Sequence, residues 1–200
     1  MKKKLLLLGA FLAVALVVAW AMAAPAEKLK AGDTVPPLAL TDIHGAAVAI
    51  PHARAKWVHL QFRRFAGCPI CNLHVHEFVE RNGELKAAGI EEVVIYHSPL
   101  ASLLPYQGSF PFAVIADPEK KIYQQFGVGT SIFAILDVRA WPAMIKGMSA
   151  SDKPKGDPEG GALGRPADFL ISPDGKIVAS HYGRHAFDQW SVDELLRMAK

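Results

Sequence analysis

The sequence predicts an α/β fold, a mixed sheet covered by helices on both faces within one domain. Short, strongly apolar runs alternate with segments of helical period through the first two thirds of the chain. Three of those runs, Trp57–Phe62, Val93–Tyr96 and Phe112–Ala116, are too apolar for strands exposed on one face and read as central strands. The chain then ends in a strand, a Pro173-Asp174-Gly175 turn, a return strand and a helix, which adds antiparallel strands. Two hundred residues suit one such domain and bury a full core.

The first 24 residues stand apart. Met1-Lys2-Lys3-Lys4 is basic, and no charged residue follows from Leu5 to Ala24. A basic start and an apolar run make an export segment. Ala21-Met22-Ala23 offers small residues for cleavage before Ala24, while twenty uncharged residues also reach the length of a membrane anchor. Both readings place the lysines in the cytoplasm and export the domain, with the bacterial periplasm as the expected compartment. The formal charge of +3 equals the contribution of Lys2, Lys3 and Lys4, and no acid precedes Glu27. The exported domain is formally neutral, so its charge gives no support for nucleic-acid binding.

Residues 25–34 read as a tether and 35–200 as the domain. Val35–Leu40, broken by Pro36 and Pro37, is an edge segment at best. Asp42–Gly45 turns into Ala46–Ile50, the second arm of a hairpin. Beyond the central strand Trp57–Phe62, Cys71, Val75, Phe78, Val79 and Leu85 fall on one helical face, and Gly89 ends that helix. Ile90–Tyr96 and Phe112–Ala116 are further strands, and Glu119–Gln125 is a short helix. Thr130–Ala150 is apolar and helical, with Pro142 interrupting it; it reads as a core helix pair, or else as the lining of a partner groove. Ser151–Arg165 is a polar loop rich in proline and glycine. Phe169–Ile171 and Lys176–Ser180 flank the hairpin turn. Ser191 with Glu194 forms a capping box for the last helix. Gly127-Val128-Gly129 follows a helix and lacks a later glycine, so no nucleotide-cradling motif is present and no cofactor is expected.

The two cysteines of the chain, Cys68 and Cys71, lie in Cys68-Pro69-Ile70-Cys71, between the exit of a buried strand and the entry of a helix. A bridge between them closes almost no loop, which argues against a structural staple and for thiol exchange. A thiol reacts as thiolate. Cys68 at a helix N-terminus meets backbone N–H donors and the positive end of the helix dipole. Pro69 fits the first helical position, where no hydrogen bond is lost. Arg63 and Arg64, just before the turn, are candidates to place positive charge near the sulfur or to bind an oxyanion or peroxide. Cys71, one turn on, is placed to close a disulfide. Exposure favours Cys68 as the attacking thiol and Cys71 as the resolving one.

Together with Pro166-Ala167-Asp168-Phe169-Leu170-Ile171 and the hairpin after it, this junction resembles the thioredoxin superfamily. The stretch Phe62–Cys71, and the tail Tyr182–Asp188 with Ser191–Leu195, are similar to the peroxiredoxin-like branch of the alkyl hydroperoxide reductase and thiol-specific antioxidant group. The resemblance implies a single thioredoxin-like domain with a helical insertion near 130–150. It also implies that Pro166 is cis and packs beside Cys68, and that the protein is a thiol-dependent oxidoreductase. The substrates implied are a disulfide, on a protein or a small molecule, or a peroxide, with an external thiol reductant. The typical peroxiredoxin pattern Pro-x-x-x-Thr-x-x-Cys is absent. Registered on Cys68, it meets Gln61 and Phe65; registered on Cys71, it meets Arg64 and Cys68. An alternative is a copper(I) carrier of the same fold, with Cys68, Cys71 and His74 as a half-site and His97, His181 or His185 as a further ligand. Zinc would need four ligands, and no second cysteine pair exists.

Overall fold

The computed structural model describes residues 27–52, 54–150 and 159–200. The expected export segment, and residues 151–158 of the polar loop, lie outside them. Among the described residues no helix is long and apolar enough to cross a membrane.

A five-stranded mixed sheet forms the centre, built from β3 (Trp57–Phe62), β4 (Ile90–Tyr96), β5 (Ala113–Ala116), β6 (Ala167–Ile171) and β7 (Ile177–Tyr182). Its order is β5-β4-β3-β6-β7. β4 runs parallel to β3 and to β5, whereas β6 runs antiparallel to β3 and to β7. β3 is the central strand that its composition indicates. β1 (Leu38–Thr41) and β2 (Ala47–Ile50) form a separate hairpin in the register Leu38 opposite Ile50. The end of the segment read as a tether is docked: Gly32 N–H donates to Ile177 O, Ile177 N–H donates to Asp33 O, and, just beyond it, Val35 N–H donates to Gly175 O. Backbone pairing along the β7 edge, rather than side-chain pattern, holds it, so its polar composition gave no sign of order.

Side chains alternate across a strand, and the two faces of this sheet differ in kind. Val58, Leu60 and Phe62 of β3 face a core that includes Ile95, Phe126 and Phe169. Phe62, Phe126 and Phe169 meet there in edge and tilted contacts with centroids 5.0–5.7 Å apart. The opposite face carries His59 and Gln61, beneath α1 (Pro69–Glu80). There Phe78, Leu85 and Leu170 pack with Val192 and Leu195 of α7 (Val192–Met198), which starts at the capping box expected at Ser191.

The long helix after the cysteines divides at Arg81 into α1 and α2 (Asn82–Ala87). Arg81 is held there by Glu77, Glu84 and Asp193. α3 (Leu100–Gln107) is a helix that the sequence pattern does not reveal, because Pro105 sits inside it and Pro99 before it. α4 (Lys121–Gln125) follows β5. The 130–150 segment comprises α5 (Phe133–Leu136), a 3₁₀ turn (Val138–Ala140) and α6 (Trp141–Ala150). Pro142 does not interrupt a helix; it is the second residue of α6, where a missing N–H costs nothing. The segment is not a core helix pair of the usual kind. Ala134, Ala140, Ala143 and Gly147 face inward, while Phe133, Leu136, Val138, Trp141, Ile145 and Met148 are exposed.

Candidate active site

The junction between β3 and α1 places both cysteines. Phe62 ends β3, and a five-residue turn leads to Cys68, the N-cap of α1. Cys68 Sγ accepts the backbone N–H of Cys71 at 3.3 Å, and Pro69 takes the first helical position. The turn is tied from several sides. Ala66 N–H donates to Ser98 Oγ (3.0 Å), and Ala66 O accepts from Gln107 (2.9 Å) and Asn72 (3.0 Å). The Tyr123 hydroxyl lies between the carbonyls of Arg63 and Ile95. Ser98, Gln107 and Tyr123 were missed in the sequence because they act through single polar atoms brought in by other elements.

Arg64 Nη2 donates to Cys68 Sγ at 3.0 Å, and its Nη1 donates to Ala162 O at 3.0 Å. The guanidinium is thereby fixed against the thiol pair, in a buried setting where a charge-assisted bond is strong. Both sulfurs carry free thiols. They ionise as a unit. Burial alone would push Cys71 up, but hydrogen bonding from the Cys68 thiol and the charge of Arg64 outweigh it and bring Cys71 down to about 5. Burial, with the hydrogen bond and charge of Cys71, pushes Cys68 up. One proton leaves the pair readily and the second is held.

Exposure does not separate the two thiols as expected. Cys68 is 0% exposed and Cys71 is 1% exposed. Phe65 and Ile70, with Ala140 and Ala143 of the 130–150 segment and Ala186, pack around them. α6 lies very close to α1: a Cβ added at Gly147 would stand 2.5 Å from Pro69 O. The insertion is therefore a cover over the dithiol, latched where Gly147 meets Pro69.

Arg63 is not at the sulfur. It is fully buried on the other side of the strand end, where Nη2 meets Asp168 Oδ1 at 2.8 Å and also donates to Gln61 Oε1. Gln61 donates to Glu92 (2.6 Å), and His59 bridges Glu92 (2.9 Å) and Asp168 (3.5 Å). Adjacent residues point to opposite sides, so Arg64 serves the thiols and Arg63 serves this network. Pro166 also departs from the expectation. The Ile50–Pro51 bond is the cis peptide among the described residues, so Pro166 is trans. Pro166 abuts Gly183, whose N–H donates to Pro166 O, as β6 and β7 begin to pair.

His74 does not complete a metal half-site. Nε2 donates to Trp190 O at 2.8 Å, which leaves Nδ1 to accept from Arg63 at 3.4 Å. Burial and the Arg63 charge depress its pKa to about 3, so the ring is neutral with both nitrogens occupied. Among the described residues, no group of three or more His, Cys, Asp or Glu could hold a metal ion. The copper carrier reading is not supported.

The buried network makes stability depend on pH. Burial alone would lower the pKa of His59, but Glu92 and then Asp168 raise it from 6.5 to about 9. Its contribution is complete below pH 6.5 and is lost as pH rises through about 9. Burial works against ionisation of Asp168, yet Arg63 and His59 hold it below its ordinary 3.8, so that contribution is lost in acid. Denaturant unfolding should show stability falling by about 3 kcal/mol between neutral and alkaline pH through His59. His59→Gln should remove that slope, and an equal slope in the variant would refute the assignment.

A family model described as AhpC/TSA antioxidant enzyme matches residues 77–185, more than half of the chain. The chain belongs to the AhpC/TSA antioxidant enzyme family. As a member of that family it is a thiol-dependent oxidoreductase. The matched region begins after Cys71, so the match itself does not extend over the cysteine pair. No curated protein matches the chain. Among solved structures it is similar to peroxidoxin BcpB from Mycobacterium tuberculosis, at 19% identity over 86% of this chain and 96% of that one, with a TM-score of 0.63. It is also similar to a peroxiredoxin-like protein from Aquifex aeolicus, at 15% identity, 88% of each chain and a TM-score of 0.61. A putative thiol:disulfide interchange protein DsbE from Chlorobium tepidum matches at 19% identity, 86% of this chain and 100% of that one, with a TM-score of 0.56. These likenesses share one fold, the thioredoxin-like domain that the sequence implies.

Proposed function

We propose that this family member is an exported oxidoreductase that uses Cys68 and Cys71 as an exchanging dithiol, acting in the periplasm or another extracytoplasmic space. The observation that carries the reading is the convergence of Arg64 and the Cys71 N–H on Cys68 Sγ, with the second thiol one turn away. This arrangement stabilises a thiolate and offers it a partner sulfur.

With a disulfide substrate, the proton that Cys68 holds first passes to Cys71, and the Cys68 thiolate so formed beside Arg64 attacks one sulfur, forms a mixed disulfide and releases a substrate thiolate. Cys71, deprotonated in turn, attacks Cys68 Sγ and releases the second substrate thiol. The substrate gains two electrons and two protons, and the protein keeps the Cys68–Cys71 disulfide. With a hydroperoxide, Cys68 thiolate attacks the terminal oxygen, the O–O bond breaks and an alcohol leaves. Cys71 then displaces water from the sulfenic acid to give the same disulfide. An external dithiol reductant restores the pair in either case.

The reduced full chain should be oxidised by hydrogen peroxide or by a small-molecule disulfide. Cys68→Ser should abolish turnover, and Cys71→Ser should trap a mixed disulfide or sulfenic acid on Cys68. Undiminished turnover in Cys68→Ser would overturn the reading, and trapping on Cys71 in that variant would reverse the two roles.

A further inference from the structure

The outer face of the 132–148 segment is unlike the rest of the described surface. Phe133 is 70% exposed, Val138 66%, Ile145 64% and Leu136 56%. Along α6, Trp141, Met144, Ile145 and Met148 form one helical stripe, and all are exposed. The small residues take the inward positions over the dithiol. A helix of a water-soluble surface has the reverse arrangement, and so large an apolar patch marks an interaction site.

The path of the chain indicates what covers this face. The Tyr182 hydroxyl lies between the carbonyls of Leu29 and Phe126, and Lys28 Nζ sits 4.7 Å from the Tyr182 ring. Tyr182 pairs with Ala167, and Ala167 with Phe62, so this is the end of the sheet that carries Cys68 and its cover. Lys28 and Leu29, near the start of the described chain, therefore stand at the same end as the apolar face, and the uncharged stretch Leu5–Ala24 precedes them by a few residues in sequence. Residues 25–28 can span at most about 14 Å. The charges agree. Asp137 is the sole acid between 130 and 150, and Arg139 clamps it through a bidentate pair. Lys146 stands exposed on α6, and Lys28 and Lys30 are exposed at the same end. Exposed Trp141 has the amphipathic ring that suits a membrane interface.

We propose that the outer face of residues 132–148 seats on the surface of an anionic lipid bilayer, with Phe133, Leu136, Trp141 and Ile145 entering the headgroup and acyl boundary. Lys146 then meets lipid phosphates, as in interfacial amphipathic helices. The proposal is independent of the dithiol chemistry.

The test is photolabelling of the full chain on phosphatidylethanolamine–phosphatidylglycerol vesicles that contain a phospholipid with a photoactivatable acyl chain. Peptide mass spectrometry locates the adducts. Adducts are expected on peptides covering 132–148, and labelling of residues 86–91, at the opposite end of the sheet, should stay at background. A Phe133→Glu, Ile145→Glu variant should lose the 132–148 adducts while its circular dichroism is unchanged. Replacing phosphatidylglycerol by phosphatidylcholine should lower the labelling. Adducts confined to residues 1–27, or labelling of 132–148 no greater than that of 86–91, would overturn the proposal. So would crosslinks joining 132–148 of two chains in place of lipid adducts.

Discussion

Replacing Arg64 with alanine is expected to raise the first ionisation of the thiol pair from about 5 toward the ordinary 9.0. Arg64 is the cation whose Nη2 lies 3.0 Å from Cys68 Sγ. Once it is gone, only the hydrogen bond between the two thiols and the N–H groups of the helix end offset burial. Stranding a buried charge costs about 3–5 kcal/mol when one partner is removed. Part of that is recovered by relaxation and by the Cys71 N–H that remains, so a shift of roughly 2 units is expected, with about ten-fold less thiolate at pH 6. Thiolate ultraviolet absorbance against pH measures this directly and does not require a reagent to reach the buried sulfur. Arg64→Lys should fall between the two, because it keeps the charge but loses the fork that joins Ala162 O to Cys68 Sγ. An unmoved midpoint in Arg64→Ala would show that the hydrogen bond between the thiols and the helix N-terminus set the thiolate without the cation.

The second large effect is expected at Gly147. Its backbone approaches α1 so closely that a Cβ would meet Pro69 O at 2.5 Å and Pro69 C at 2.8 Å. Both are backbone atoms at the start of α1, and Cys68 cannot be shifted without breaking its cap. The strain of Gly147→Val therefore falls on the cover. Overpacking of this kind costs typically 1–3 kcal/mol. If it lifts α6 by that much, alkylation of the dithiol by a bulky maleimide should accelerate about ten-fold. The absorbance midpoint of the thiolate should stay close to that of the parent, since Arg64 is held by Ala162 O and Cys68 Sγ rather than by α6. An unchanged alkylation rate would mean that access does not pass under α6.

Much of the scaffold was legible in the sequence because it follows from local pattern. β4 reads as buried because Val93–Tyr96 is apolar on consecutive positions, and the α7 cap reads directly from Ser191 and Glu194. The junction at Cys68 was legible for the same reason, since strand, proline and helical stripe adjoin in the chain. α3 was hidden by its prolines. The buried network was hidden in another way: His59, Gln61, Glu92 and Asp168 sit on three strands, and only pairing brings them to one face. Within β3, His59 and Gln61 look like the polar half of an alternation, which normally faces water. Here they face α1 and find partners there instead.

Local sequence suffices for the α/β class, the place of the dithiol at a strand–helix junction, and the short reach between Cys68 and Cys71. Each depends on residues close together in the chain, where periodicity, capping and proline geometry act directly. Packing across the fold settles that Arg64 and not Arg63 meets the sulfur, and that Pro166 is trans. Tertiary structure alone also buried both thiols beneath an alanine-faced cover. Those outcomes depend on which side of a strand end each side chain leaves and on what a distant segment lays over it. Composition carries neither, because the same apolar residues can line a core or an outer face until packing assigns them.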